Sequence, residues 1–125
     1  MPTQIFVNIP TTDLERSKHF YEGLRWTINP NLTDENAACV IVSVHIYLMI
    51  LTREFFATFT DKPTIDPATS LQTQTGLSAD SREGVDALAE KAKAAGAHAN
   101  SEAQDYGFMY SRDFDDPDGN HFAIL

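Results

Sequence analysis

Ile5-Phe6-Val7-Asn8-Ile9 is an apolar, strand-like run, and Thr12-Asp13-Leu14-Glu15 follows it with the pattern of a helix start. In this capping box, Thr12 is predicted to cap the helix and Glu15 to reach back toward it. Further short strands are predicted at residues 26–28, 38–43 and 46–51. The apolar spacing predicts one buried helix face, formed by Leu14, Ser17, Tyr21 and Leu24.

The second half of the chain repeats this order, which indicates a diverged internal repeat. A strand-like run at residues 73–78 precedes Asp80-Ser81-Arg82-Glu83, which again offers a cap with Glu three residues later. The helix that follows is predicted to end at Gly96, in a left-handed conformation. A strand near residues 97–99 and a hairpin around Asp116-Pro117-Asp118-Gly119 complete the repeat.

Each half therefore reads as strand, helix and three strands, and one helix cannot cover both faces of a four-stranded sheet. The predicted fold is α+β, with two βαβββ modules that form a curved, cup-shaped mixed sheet with the helices outside. Residues 1–52 are the first predicted module, residues 53–71 a linker and residues 72–125 the second module. The inner faces are expected to line a shared cavity.

Composition restricts the class of function. The 125 residues, 13.9 kDa, are the size of one domain, and 9 Lys and Arg against 18 Asp and Glu give a net charge of −9. This balance argues against nucleic acid and against an anionic membrane surface as partners, and it permits a cationic or neutral small molecule. Cys39 stands alone, so a thiolate zinc cluster is excluded, and a cytoplasmic protein is expected because no secretory or membrane-spanning pattern is found.

Two groups of motifs resemble a known superfamily. Phe6-Val7-Asn8-Ile9-Pro10, Asp13-Leu14-Glu15-Arg16-Ser17 and Phe20-Tyr21 resemble the start of vicinal-oxygen-chelate proteins, which include glyoxalase I, extradiol dioxygenases and the fosfomycin- and bleomycin-resistance proteins. The segments 105–110 and 114–119 resemble a bacterial branch labelled predicted lactoylglutathione lyase. The resemblance covers essentially the whole chain and implies the paired βαβββ architecture.

Enzymes of this superfamily usually hold a divalent metal, and the resemblance implies where its ligands would lie. The matched positions carry Phe6, Met49, Gln74 and Ala123. A phenyl ring and a methyl group cannot coordinate a metal, and a thioether is a poor ligand for the ions concerned. We therefore expect no metal and no other cofactor, and the lyase label looks wrong for this chain.

Asp113 and His121 are the candidates for acid–base chemistry. Strand alternation turns Asp113 to the same face as Ser111, where its carboxylate could pair with a cation, act as a base or simply reach solvent. His121 could donate to a ligand, transfer a proton or lie at the cavity rim. At the end of the acidic run, Asp116-x-Asp118-x-Asn120 starts like a calcium loop, but it lacks the required Gly and Glu, so a turn is predicted.

The predicted role is binding of a small organic molecule by a metal-free, bleomycin-resistance-like homodimer. The alternative is an enzyme of the superfamily, either metal-free through Asp113 or His121 or metal-dependent through unrecognised ligands. A regulatory subunit with a filled cup is a third possibility. The expected ligand-binding residues are Phe6, Asn8, Tyr47, Met49, Gln74, Ser111, Asp113 and His121.

Overall fold

The computed structural model describes residues 2–100 and 102–125, and it divides into two compact units, Met1–Thr64 and Ile65–Leu125. The division lies inside the segment predicted as a linker. The chain has the α+β fold with two βαβββ-type modules that the sequence predicts. In the described residues, no helix is long and apolar enough to cross a membrane.

The first unit is a four-stranded sheet with one helix on one face. Its strand order is β1-β4-β3-β2, with β1 parallel to β4 and the other neighbours antiparallel. Helix α1 buries Leu14, Phe20 and Tyr21, while Leu48 and Ile50 are buried in the sheet. The elements are β1 Ile5–Thr11, α1 Leu14–Gly23, β2 Thr27–Asn29, β3 Ala37–Ile41, β4 Ile46–Thr52 and a short α2 Arg53–Phe56, with 3-10 turns at Pro30–Leu32 and Ala57–Phe59.

The second unit repeats this arrangement with one additional strand. Its order is β5-β9-β8-β6, with β5 parallel to β9. The strand β7 also pairs with β8, at Tyr110 and Ser111, whereas β6 pairs with the other end of β8. The prediction of only three strands after the helix is therefore wrong by the two-residue strand β7. The elements are β5 Gln74–Leu77, α3 Arg82–Ala94, β6 Ala99–Asn100, β7 Gln104–Asp105, β8 Tyr110–Asp115 and β9 His121–Ile124.

In both long helices, the capping residue lies one position later in the chain than the sequence predicts. Asp13 rather than Thr12 caps α1, because its extended backbone lets its carboxylate accept the N–H of Arg16. Glu15 does not reach back to the cap and instead lies 3.2 Å from Lys18 Nζ. In the same way, Ser81 rather than Asp80 caps α3 and accepts the N–H of Gly84 at 3.0 Å.

The turn between β8 and β9 is fixed by Asp116, which is 1% exposed. Its carboxylate accepts the N–H groups of Asp118 and Asn120 and the side-chain amide of Asn120. Gly119 has φ +103, and a Cβ there would lie 2.8 Å from backbone atoms of Pro67 and Ala68. The turn predicted for this acidic run is confirmed, since the buried carboxylate is used to hold the backbone.

Candidate functional site

In the second unit, four polar side chains share the sheet face that turns away from α3. The strand register pairs Asp115 with His121, Asp113 with Ala123 and Gln74 with His121. Arg112, between the two aspartates, points to the other face and contacts Asp86 and Glu90 of α3. Alternation thus places Asp113, Asp115, His121 and Gln74 on the face that no helix of this unit covers.

His121 is held between the two aspartates through both ring nitrogens. Nδ1 lies 2.7 Å from Asp115 Oδ1, and Nε2 lies 2.9 Å from Asp113 Oδ2. A carboxylate at each ring nitrogen favours a ring that donates from both, which only the protonated imidazolium form can do. Desolvation lowers the pKa of His121, but the hydrogen bonds with Asp115 and Asp113 outweigh it, and the pKa lies above its usual value.

The Asp113–His121–Asp115 cluster is partly open to solvent and carries more negative than positive charge. The exposed fractions of the side chains are 37% for Asp113, 25% for Asp115 and 23% for His121. Two carboxylates face one imidazolium, so the cluster is suited to a cationic or hydrogen-bond-donating group. Sequence reasoning missed Asp115, which it assigned to the turn, although the spacing of two from Asp113 indicates the shared face.

In the first unit, the face turned away from α1 carries a stacked aromatic pair. Phe6 on β1 and Tyr47 on β4 have ring centroids 4.7 Å apart and planes within 11°. The Tyr47 hydroxyl donates to Val44 O at 2.9 Å and accepts from Gln4 Nε2 at 3.2 Å, which fixes the ring. Phe6 is 48% exposed, so the pair presents an aromatic surface. The neighbouring register pair on this face is Asn8 with Met49.

The positions at which the superfamily implies metal ligands occupy these same two faces. Phe6 and Met49 lie on the first, and Gln74 and Ala123 lie on the second. The residue chemistry does not fit a metal, because Gln74 alone supplies a suitable donor. Among the residues that the structure describes, no group of three or more His, Cys, Asp or Glu side chains could hold an ion. Asp113 and Asp115 approach His121 at opposite ring nitrogens, so these three groups do not converge on one point.

The remaining candidates contribute less to these faces. Ser111 shares the face of Asp113 by alternation but is only 8% exposed. Cys39 is fully buried in β3, where desolvation raises the pKa of its thiol, as expected for a core residue rather than a nucleophile. The other histidines, His19, His45 and His98, are exposed.

Comparisons with known proteins agree with this architecture. Residues 3–43 match the family described as bleomycin resistance protein-like N-terminal. No curated protein matches the sequence. A hypothetical protein from S. aureus is 24% identical, with a TM-score of 0.82 over 100% of this chain and 94% of its own. A glyoxalase/bleomycin resistance protein/dioxygenase family enzyme from Burkholderia phytofirmans PsJN is 21% identical, with a TM-score of 0.77 over 98% and 97%.

A bleomycin resistance determinant encoded on the transposon Tn5 is also similar, with 18% identity and a TM-score of 0.69 over 98% of this chain and 96% of its own. The fold is therefore that of the glyoxalase and bleomycin-resistance proteins. The family match itself extends over residues 3–43, the N-terminal third of the chain.

Proposed function

We propose that this chain is a metal-independent binder of a small organic molecule that carries a cationic or hydrogen-bond-donating group. The observation that carries the proposal is the Asp113–His121–Asp115 cluster, which presents excess negative charge on a sheet face without a covering helix in its unit. Gln74, exposed and adjacent to His121 in the register, adds an amide to this face. The net charge of −9 favours the approach of a cation.

The geometry of His121 favours binding over acid–base catalysis. Both of its ring nitrogens are already hydrogen-bonded to carboxylates, so neither is directed at a substrate atom. The metal-dependent alternative requires ligands that the matched positions do not supply. Support for a binder also comes from the similarity to a bleomycin resistance determinant, a protein named for protection against a small molecule.

The Phe6–Tyr47 pair supports a second part of the proposal, which is that the first unit offers a stacking surface for a planar group. Stacked rings bind other planar groups through dispersion and quadrupole interactions. The ring of Tyr47 is fixed by two hydrogen bonds, so little conformational entropy would be lost on binding. Asn8 and Met49 would contact the edge of such a group.

The proposal is tested with a panel of organic cations and size-matched organic anions, with metal-free bleomycin as the first cation, all in the presence of a chelator. We expect a cation to raise the melting temperature and the anions to have no effect. Asp113→Asn should weaken the affinity for that cation at least about tenfold, because it removes a charge-assisted hydrogen bond.

The matched control is Asp61→Asn, which removes the same charge from an exposed loop of the other unit. It should leave the affinity unchanged, which separates a local contact from the overall charge of the chain. A panel without any stabilising cation, or equal losses in the two variants, would overturn the proposal.

The homodimer predicted from the sequence is part of the same proposal, and two-fold pairing is the commonest oligomeric arrangement. Sedimentation at micromolar concentration is expected to show a species of twice 13.9 kDa. A monomer alone under these conditions would contradict it.

A further inference from the structure

The turn between β7 and β8, residues 106–109, presents an aromatic ring almost entirely to solvent. Phe108 is 90% exposed, and Tyr106 beside it is 54% exposed. The turn is nevertheless well defined, because Tyr106 N–H donates to Met109 O at 2.8 Å and Gly107 N–H donates to Asp105 Oδ1 at 2.9 Å. A phenyl ring held in water by a defined turn retains most of its apolar surface for contact with another molecule.

Arg82, the first residue of α3, braces this turn against the helix. Its guanidinium donates to both carboxylate oxygens of Asp105, at 3.0 Å for the Nη2–Oδ1 pair. It also lies over the ring of Tyr110, 5.0 Å from the centroid. The Tyr110 hydroxyl in turn donates to Asp86 Oδ1 at 2.7 Å. These contacts hold Arg82, Asp105 and Tyr110 in place before any ligand binds, which lowers the entropic cost of binding beside them.

A cavity of about 310 Å³ lies between the turn and the start of α3. This volume is at the lower end of the range for small-molecule sites. The lining residues include the apolar Leu125 and the aromatic Phe108 and Tyr110, while Val85 below them is only 2% exposed. The cavity is separate from the Asp113–His121–Asp115 cluster, since it involves the α3 side of the unit.

The charge at this cavity favours a cation. Asp105 balances Arg82, whereas Asp80 lies in the cavity wall and forms no salt bridge with a described residue. Glu83 adds a second exposed carboxylate in the first turn of α3. The helix N-terminus contributes only about half a positive charge, so it does not reverse this excess.

We propose that this cavity is a second small-molecule site, which takes an organic cation with a planar, aromatic body. The body packs against Phe108 and Leu125, and the amino group is directed toward Asp80. Cation–π attraction to the aromatic side and charge pairing with Asp80 act together. This site does not depend on the ligand face proposed above.

The test uses benzylamine and benzoate, which share an aromatic body and differ in the sign of their charge. In amide NMR spectra of the intact chain, benzylamine should shift the signals of residues 79–85 and 107–110. Phe108→Ala and Asp80→Asn should each weaken benzylamine binding at least about fivefold. Phe59→Ala, a truncation of another exposed Phe in the first unit, should leave it unchanged.

Either exposed-residue variant should fold normally, and unchanged signals elsewhere in the spectrum check this. Absence of benzylamine shifts at these residues, equal binding of benzoate, or an unaltered affinity in Phe108→Ala would overturn the proposal.

Discussion

At the scale of single residues, His121 is the side chain whose protonation state follows most directly from its contacts. Neutral imidazole has one donor and one acceptor nitrogen, and an acceptor nitrogen facing a carboxylate would be repelled. Two carboxylates, Asp113 and Asp115, therefore favour the charged ring. The rotation of His121 is restricted from both sides, which fixes the positions of the carboxylates relative to each other.

His121 should make stability depend on pH. Its pKa in the folded chain is raised, so its contribution is fully present below the unfolded pKa of about 6.5 and is lost as pH rises through the folded pKa. We expect His121→Gln to lower the free energy of unfolding by about 1–2 kcal/mol near pH 5.5, and by clearly less near pH 9. Denaturant titrations at both pH values measure this difference.

The control for this pH dependence is His45→Asn, because His45 lies exposed in a turn of the other unit. Its effect on the free energy of unfolding should be small. An effect of His121→Gln that is the same at both pH values would show that the imidazolium does not stabilise the fold.

Arg25 has a strained backbone conformation. Its φ is +68, and it follows the end of α1, where its N–H donates to Glu22 O at 2.9 Å. A left-handed conformation costs a non-glycine residue about 1–2 kcal/mol. This cost is local, since Arg25 is exposed.

Arg25→Gly should therefore raise the free energy of unfolding by about 0.5–1 kcal/mol, after part of the relief is offset by the greater freedom of Gly in the unfolded chain. Arg25→Ala removes the same side chain and keeps the strain, so it should bring no gain. Equal stabilities of the Gly and Ala variants in denaturant titrations would contradict this explanation.

At the scale of elements, the period-two pattern of the strands predicts which residues share a face, whereas helix starts are less well determined. Thr12 and Asp13 are both good capping residues, as are Asp80 and Ser81, and the sequence does not distinguish between neighbours. Backbone conformation decides, and in both units the second residue of the pair is the cap. The sequence does not predict β7, because a strand of two residues is too short to show an alternating pattern.

The close packing of the β8–β9 turn can be tested by comparing two glycines that have nearly the same φ, one inside the turn and one outside it. Gly119 and Gly96 have φ values of +103 and +104, but a Cβ meets backbone atoms at 2.8 Å only at Gly119 and has open space at Gly96. Gly119→Ala should cost about 2–4 kcal/mol of unfolding free energy, and Gly96→Ala about 1 kcal/mol. Similar melting temperatures for the two variants would show that the close approach of residues 67–68 is not a constraint.

The candidate site was predictable in part, because the alternation of side chains along a strand applies to it as well. Alternation places Asp113 and His121 on one face, and the register confirms that placement. The involvement of Asp115 depends on its pairing with His121 across the hairpin. The sequence does not predict this pairing, because it assigns Asp115 to the turn rather than to the end of β8. The cavity beside Phe108 depends on the brace between Arg82 and Asp105, two residues 23 positions apart.

At the scale of the whole molecule, the charge and the side chains of the chain, rather than its fold, indicate the kind of activity. The fold is shared by metalloenzymes and by resistance proteins, so it does not decide between catalysis and binding. The matched ligand positions, which carry Phe6, Met49, Gln74 and Ala123, argue against a metal. The acidic charge and the two polar or aromatic sheet faces argue for capture of an organic cation.

Metal-independent binding is tested most directly by elemental analysis of the purified chain after dialysis against a mild chelator, followed by titration with the cation selected from the panel. We predict well below one mole of transition metal per mole of chain, and an affinity unchanged by the chelator. Close to one mole of metal per chain, or binding that the chelator abolishes and added metal restores, would contradict this account.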